Sequence, residues 1–315
     1  MKVLKIIALF VLCVVLLTVT FITMFSVSDT KTSSSEVVSS EITQSSSEES
    51  SSQIVEHSSS EESSKQEEST HISLVEGTVK TPLGDLTVKS TQGLDTNPVT
   101  WGPGVQFNDK NQPAACVSLQ EKYGDLGAVF LNSDKIYLTF DLGYESGHTA
   151  KILDTLKANN VKATFFVTGS YAKNQPELMQ RIVDEGHTVG NHSWSHPDMT
   201  TISDDEAAAE ITQVYDIVKQ NYGYETYLFR FPAGVFSEKT LAIAAQNGHH
   251  SVFWSFAYND WDNANQPDVT EALEKVTARL HPGAVYLFHP METNSTILND
   301  FIANAKDAGY EIAVF

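Results

Sequence analysis

Residues 135–315 predict an α/β fold, a distorted (β/α)7-type barrel of parallel strands, and three observations carry that expectation. Short runs of apolar and β-branched residues alternate with helix-length amphipathic runs. Such alternation implies parallel strands joined by right-handed helical crossovers. Five polar clusters also fall at the ends of apolar runs, where α/β folds gather functional groups on the C-terminal edge of the sheet. The same elements arranged as an open doubly wound sheet are the alternative.

The strand-like runs are 135–140, 162–167, 187–191, 227–231, 250–255, 284–289 and 310–315. Helix-like runs lie between them, near 149–159, 175–185, 203–221, 237–246, 268–280 and 294–308. Ser203 followed three residues later by Glu206 reads as a capping box at one helix start. Gly186, Gly248 and Gly309 follow helix ends as C′ glycines do. Ahead of this domain, 71–134 reads as an arm. It has a hairpin-like stretch around Val79, Leu86 and Val88, then a loop-rich part with Trp101 and Gly102, and a helix from Ala115 to Lys122.

The first 70 residues are of another kind. Ile6 to Phe25 carry no charge, and twenty such residues suffice to span a bilayer. The expectation for 1–30 is a membrane anchor with Lys2 and Lys5 inside the cell and the rest outside. The alternative is a signal peptide cleaved near Ser26-Val27-Ser28, giving a secreted protein. Residues 31–70 hold 17 Ser and 9 Glu against 2 Lys, too little apolar surface to fold, and read as a disordered, self-repelling linker. Beyond that segment Cys116 is the one cysteine, so no internal disulfide forms, and it reads as a small buried hydrophobe. Of the formal charge of −20, the first 70 residues account for ten acids and four lysines. The folded part is therefore acidic as well, which argues against nucleic acid as a partner.

The polar clusters carry the chemistry. Asp141 ends the run Ile136–Phe140 and is followed by Gly143, at a strand lip suited to a general base or a metal ligand. His192 and His196 lie four apart, a spacing that puts both imidazoles on one side of a helix or tight turn and is common in metal sites. Asn191, Ser193 and Asp198 stand near enough in sequence to support them. Arg230 follows Leu228-Phe229 and needs a carboxylate partner, for which Asp260 is the expectation. His289 ends the run Ala284–Phe288 as the candidate general acid. Trp254, Trp261 and Tyr258 are the aromatic candidates for a sugar-stacking wall. Together these groups suit metal-assisted hydrolysis of an amide or ester, in which Asp141 takes a proton from water and His289 gives one to the leaving nitrogen.

The motifs resemble those of the NodB-homology polysaccharide deacetylases. They are Thr139-Phe140-Asp141-Leu142-Gly143, His192-Ser193-Trp194-Ser195-His196, Arg230 to Gly234, Asp260-Trp261 and Leu287-Phe288-His289. Gly143-Tyr144-Glu145, Gly190 to Trp194, Gly234 to Glu238 and Asp260-Trp261-Asp262 are similar to the delta-lactam-biosynthetic de-N-acetylase branch, which acts on muramic acid residues of peptidoglycan. The resemblance implies a peptidoglycan de-N-acetylase with Asp141 as base, His289 as acid, and His192 and His196 holding a divalent metal, zinc. It implies that Arg230 orients Asp141 and pairs with Asp260, that Leu287 lines the acetyl pocket, and that Trp261 and Tyr144 contact substrate. The chain departs from the family where Leu142 takes the place of a ligating Asp. That departure implies weaker metal binding, completed by water or Asp141, with Glu145 as a further substitute. A deacetylase of another exported N-acetylated glycan, or a glycan-binding relic without catalysis, are the rival readings.

Overall fold

The computed structural model describes residues 76–315. The expected anchor at 1–30 and linker at 31–70 lie outside the described residues. Among the described residues no helix is long and apolar enough to cross a membrane.

The chain opens with a hairpin of β1 (Gly77–Thr81) and β2 (Gly84–Val88), then a short β3 (Val99–Thr100) and the expected helix, α1 (Ala114–Tyr123). The main sheet is built from β4 (Ala128–Val129), β5 (Ile136–Leu142), β6 (Thr164–Val167), β7 (Thr188–Asn191), β8 (Leu228–Phe229), β10 (His250–Val252), β11 (Val285–Phe288) and β12 (Ile312–Ala313). Its order is β11-β5-β6-β7-β8-β10-β4, with β12 also paired to β5, and every pairing is parallel. The remaining strand, β9 (Val235–Phe236), pairs antiparallel with β3.

The sheet curls instead of staying open. Past β10, Ser255 donates its N–H to the Val285 carbonyl at 2.8 Å, and Leu287 donates to Phe256 at 2.9 Å. Asn132, just past β4, donates to Gly283 at 3.1 Å. The seven expected strands are all present. An eighth, β4, comes from the stretch read as loop-rich arm, because two residues are too few to show a period.

Helices α2 (Thr149–Ala158), α3 (Gly169–Asn174), α4 (Pro176–Asp184), α5 (Asp204–Tyr222), α6 (Glu238–Gln246), α7 (Val269–Thr277) and α8 (Glu292–Asp307) form the crossovers. The helix expected near 175–185 is α4, and the short α3 ahead of it carries too few residues to show a period. Pro176 lacks the N–H that would continue α3 and starts α4 in its place. The capping box at α5 forms as expected: Ser203 Oγ accepts from Glu206 N–H at 3.3 Å, and Glu206 Oε2 accepts from Ser203 N–H at 2.9 Å.

Strand β5 shows how the two faces divide. Ile136, Leu138, Phe140 and Leu142 pack outward with Ile152, Leu156, Met179, Val214, Val276 and Phe301 of the helices. Tyr137 points inward to a second cluster with Phe166, Leu228, Val252 and Val285. Thr139 and Asp141 follow on that inner face, one step nearer the C-terminal rim. Cys116 is fully buried and its thiol is pushed up to about 12 by burial, as an inert core residue.

Candidate active site

Asp141 sits at the inner rim of β5, nearly buried. Its Oδ1 accepts from Arg230 Nη1 at 2.7 Å, and its Oδ2 lies 3.5 Å from His192 Nε2. Burial alone would raise the carboxyl pKa. The Arg230 charge, with the His289 charge and the Arg230 hydrogen bond, outweighs it and holds the pKa below the ordinary value. Asp141 is thus kept as a carboxylate with one oxygen directed away from its clamp.

Arg230 is fully buried and places donors from all three of its nitrogens on the protein. Nη1 also donates to Thr139 Oγ1 at 2.8 Å, Nε to the Val252 carbonyl at 3.0 Å, and Nη2 to the Phe253 carbonyl at 3.4 Å. Thr139 can accept because its own hydroxyl proton goes to the Tyr286 carbonyl at 2.6 Å. The guanidinium lies 4.1 Å over the Phe166 ring. That ring has room only because residue 190 is glycine: a Cβ there would stand 2.4 Å from Phe166 Cδ1.

His192 and His196 meet as the four-residue spacing predicts, with ring centroids 4.9 Å apart. They do so on a tight turn and not on a helix, with Ser193 and His196 at φ of 65° and 61°. Asn191 Oδ1 accepts from Ser193 N–H at 3.0 Å, and Ser193 Oγ accepts from His196 N–H at 3.0 Å, so these two neighbours shape the turn. Asp198 does not take part; its carboxylate accepts from Thr200. His192 donates from Nδ1 to the Arg230 carbonyl at 2.8 Å. Burial lowers its pKa to about 4, so the ring is neutral and Nε2 carries a lone pair beside Asp141. A carbonyl-fixed tautomer with a free Nε2 is the arrangement that suits a metal-ligating histidine.

Among the described residues, neither Leu142 nor Glu145 adds a third ligand to this pair. Leu142 is fully buried in the helix-side cluster, on the face of β5 opposite Asp141, and does not line the cleft. Glu145 does not replace it. Its Oε1 accepts from Gly147 N–H at 2.6 Å and Thr149 N–H at 3.4 Å at the start of α2, and its Oε2 accepts from the Tyr171 hydroxyl at 2.8 Å. Among the described residues no group of three or more His, Cys, Asp or Glu side chains is arranged to hold a metal ion. The donor chemistry therefore fits the two histidines, with Asp141 adjacent, as a ligand-poor site.

The expected pairing of Arg230 with Asp260 is not found. Asp260 holds His289: Oδ1 faces Nδ1 at 2.8 Å, and Oδ2 accepts the His289 backbone N–H at 2.9 Å. Sequence reasoning gives Arg230 the wrong carboxylate because Asp260 lies in the loop past β10 and only the curl of the sheet decides which acid is in reach. Burial works against the His289 imidazolium, but the Asp260 hydrogen bond and charge, with the Asp141 charge, raise its pKa above the ordinary value. Sequence reading missed Asn294, whose amide Nδ2 donates to Asp260 Oδ2 at 2.6 Å.

Asp141, His192, His196 and His289 all open on one cleft of about 820 Å³. Its walls include Leu287, Trp254 and Tyr258, with Trp261 and Tyr144 exposed at the rim. The residues singled out as substrate contacts are thus brought together with Asp141 and His289. Tyr258 is nearly buried and gives its hydroxyl proton to Asn294 Oδ1, so it belongs to the wall behind His289 and not to a free stacking surface. Trp101 of the arm braces the same region, donating its indole N–H to the Trp254 carbonyl at 3.0 Å and its backbone N–H to Gly234 at 3.0 Å.

The polysaccharide deacetylase family signature matches residues 130–252. The chain is 41% identical over 226 residues to the peptidoglycan-N-acetylmuramic acid deacetylase PdaA of Bacillus subtilis, covering 70% of this chain and 85% of that one. It is 36% identical over 169 residues to a peptidoglycan-N-acetylglucosamine deacetylase of Bacillus cereus, covering 54% of this chain and 60% of that one. The solved structure of Bacillus subtilis PdaA, a family 4 carbohydrate esterase, matches with a TM-score of 0.66 and 38% identity, over 70% of this chain and 96% of that one. With Asp141, His289 and the His192–His196 pair assembled on one cleft, the chain belongs to the polysaccharide deacetylase family and is a deacetylase.

Proposed function

We propose that the protein removes N-acetyl groups from amino sugars of peptidoglycan, with N-acetylmuramic acid as the preferred residue. One observation carries the chemistry: Asp141 and His289, each clamped by its own buried partner, face the same cleft. The match to PdaA along most of both chains supports muramic acid over glucosamine.

In this reading the acetamido group enters against Leu287. Asp141, held ionised by Arg230, accepts a proton from the attacking water. His289, held protonated by Asp260, delivers its Nε2 proton to the leaving nitrogen as the carbon–nitrogen bond breaks. A divalent metal, zinc by preference, held by His192 and His196 would supply polarisation of the carbonyl and a more acidic water when bound. Trp261 and Tyr144 offer apolar faces at the rim for the sugar rings. The uncharged Ile6–Phe25 run and the Ser/Glu-rich tract support a cell-surface enzyme, tethered to the membrane by a single span. The test is mass spectrometry of peptidoglycan treated with the purified protein and then digested. Loss of acetyl from muramic acid is expected. Loss from glucosamine alone would favour the rival substrate, and intact acetyl groups on both would refute the reading.

A further inference from the structure

The carboxylate that holds His289 is itself held from behind. Asn294, in the first turn of α8, is buried and points its side chain at Asp260. Its Nδ2 donates to Asp260 Oδ2 at 2.6 Å and to the His289 carbonyl at 2.9 Å. Those two partners can only accept, which settles that the amino end of the amide faces the carboxylate, and its Oδ1 accepts from the Tyr258 hydroxyl at 2.5 Å. Oδ2 of Asp260 therefore receives two N–H donors, from Asn294 and from the His289 backbone, and Oδ1 is left for the imidazole alone. With Nδ1 occupied, the proton that can leave toward the cleft is the one on Nε2.

We propose that Asn294 is a positioning residue for the reaction. It locks the Asp260 carboxylate in the one orientation that keeps His289 Nδ1 engaged and Nε2 directed at the leaving group. This rests on the reading of His289 as general acid. A polar side chain that served packing alone would not need both ends of its amide matched to partners of opposite kind.

The substitution Asn294→Leu keeps the branched heavy-atom outline and removes both functions of the amide. In the full-length protein, acetate release from peptidoglycan is expected to fall by ~10-fold or more in kcat, with KM changed by less than about twofold. The alkaline limb of the kcat–pH profile should move to lower pH, because a carboxylate free to turn away no longer supports the imidazolium. The direction discriminates. A carboxylate that kept its orientation and merely lost a donor would be a stronger acceptor, and the limb would move up. An upward or absent shift, or wild-type kcat, overturns the proposal. Tyr258→Phe, which frees one end of the amide and leaves Asn294 in place, should give a smaller shift in the same direction, and it stands in if the leucine variant fails to fold. His289→Gln separates the underlying reading: full activity there removes the acid assignment whatever Asn294 does.

Discussion

Asp260 grips His289 at two points, the imidazole Nδ1 at 2.8 Å and the backbone N–H at 2.9 Å, one through each carboxylate oxygen. The grip fixes the ring plane and raises the imidazole pKa. The acid form is therefore present below that raised pKa and is lost as pH rises through it. Asp141, the proposed base, has a lowered pKa, so its ionised form is lost only as pH falls below the ordinary carboxylate range. The rate should form a broad plateau with its alkaline edge set by His289. His289→Ala should lower the rate by ~10²-fold or more and abolish that edge, while an unchanged pH–rate profile would make His289 a structural residue.

Asp141→Asn should cost ~10²-fold or more in rate, measured as acetate release well below the melting temperature. It should also destabilise the fold, by about 3 kcal/mol, because Arg230 is fully buried and, among the described residues, Asp141 is its only carboxylate partner within salt-bridge reach. A variant that melts like wild type and retains its rate would remove Asp141 from both roles.

Leu142→Asp is expected to harm the protein and not to improve it. The sequence reading expects tighter metal binding from that change, as though the side chain faced the histidines. The strand points it into the helix-side core, where an unpaired carboxylate should cost about 3 kcal/mol or more. Metal titration of the two apo proteins, alongside their melting curves, decides the matter. A stable variant with higher affinity would mean that β5 re-twists to present residue 142 to the cleft.

Gly190→Ala tests the support beneath Arg230. Its Cβ would meet the Phe166 ring at 2.4 Å, and that ring carries the guanidinium. The strain should be about 1–3 kcal/mol, and the rate should fall with it as Arg230 shifts against Asp141. Calorimetry and kinetics on the same sample should both move; a neutral outcome would show that the ring has another place to go.

Trp261→Ala should raise KM between about 2-fold and 10-fold with little change in melting temperature. The indole is 58% exposed at the cleft rim, so it has little core packing to lose. A change in kcat at constant KM would argue that it shapes the catalytic groups instead.

The sequence by itself determined the repeating strand–helix plan and the identity of the chemical groups. Period and turn signals are local, and Asp141, His192, His196, Arg230 and His289 each end or follow a legible apolar run. The two-residue strand β4 carried too short a signal to be read, and so did the six-residue helix α3 ahead of Pro176. Tertiary structure alone decided which carboxylate serves which partner. Asp141 and Asp260 are 119 positions apart in sequence, and only the curl of the sheet places Arg230 beside the first and His289 beside the second. It likewise decided that Leu142 faces the helices, since a single residue along a strand reverses the direction of the side chain. Asn294 was invisible for the same reason: nothing in its helix marks it, and its role exists only where α8 passes behind Asp260.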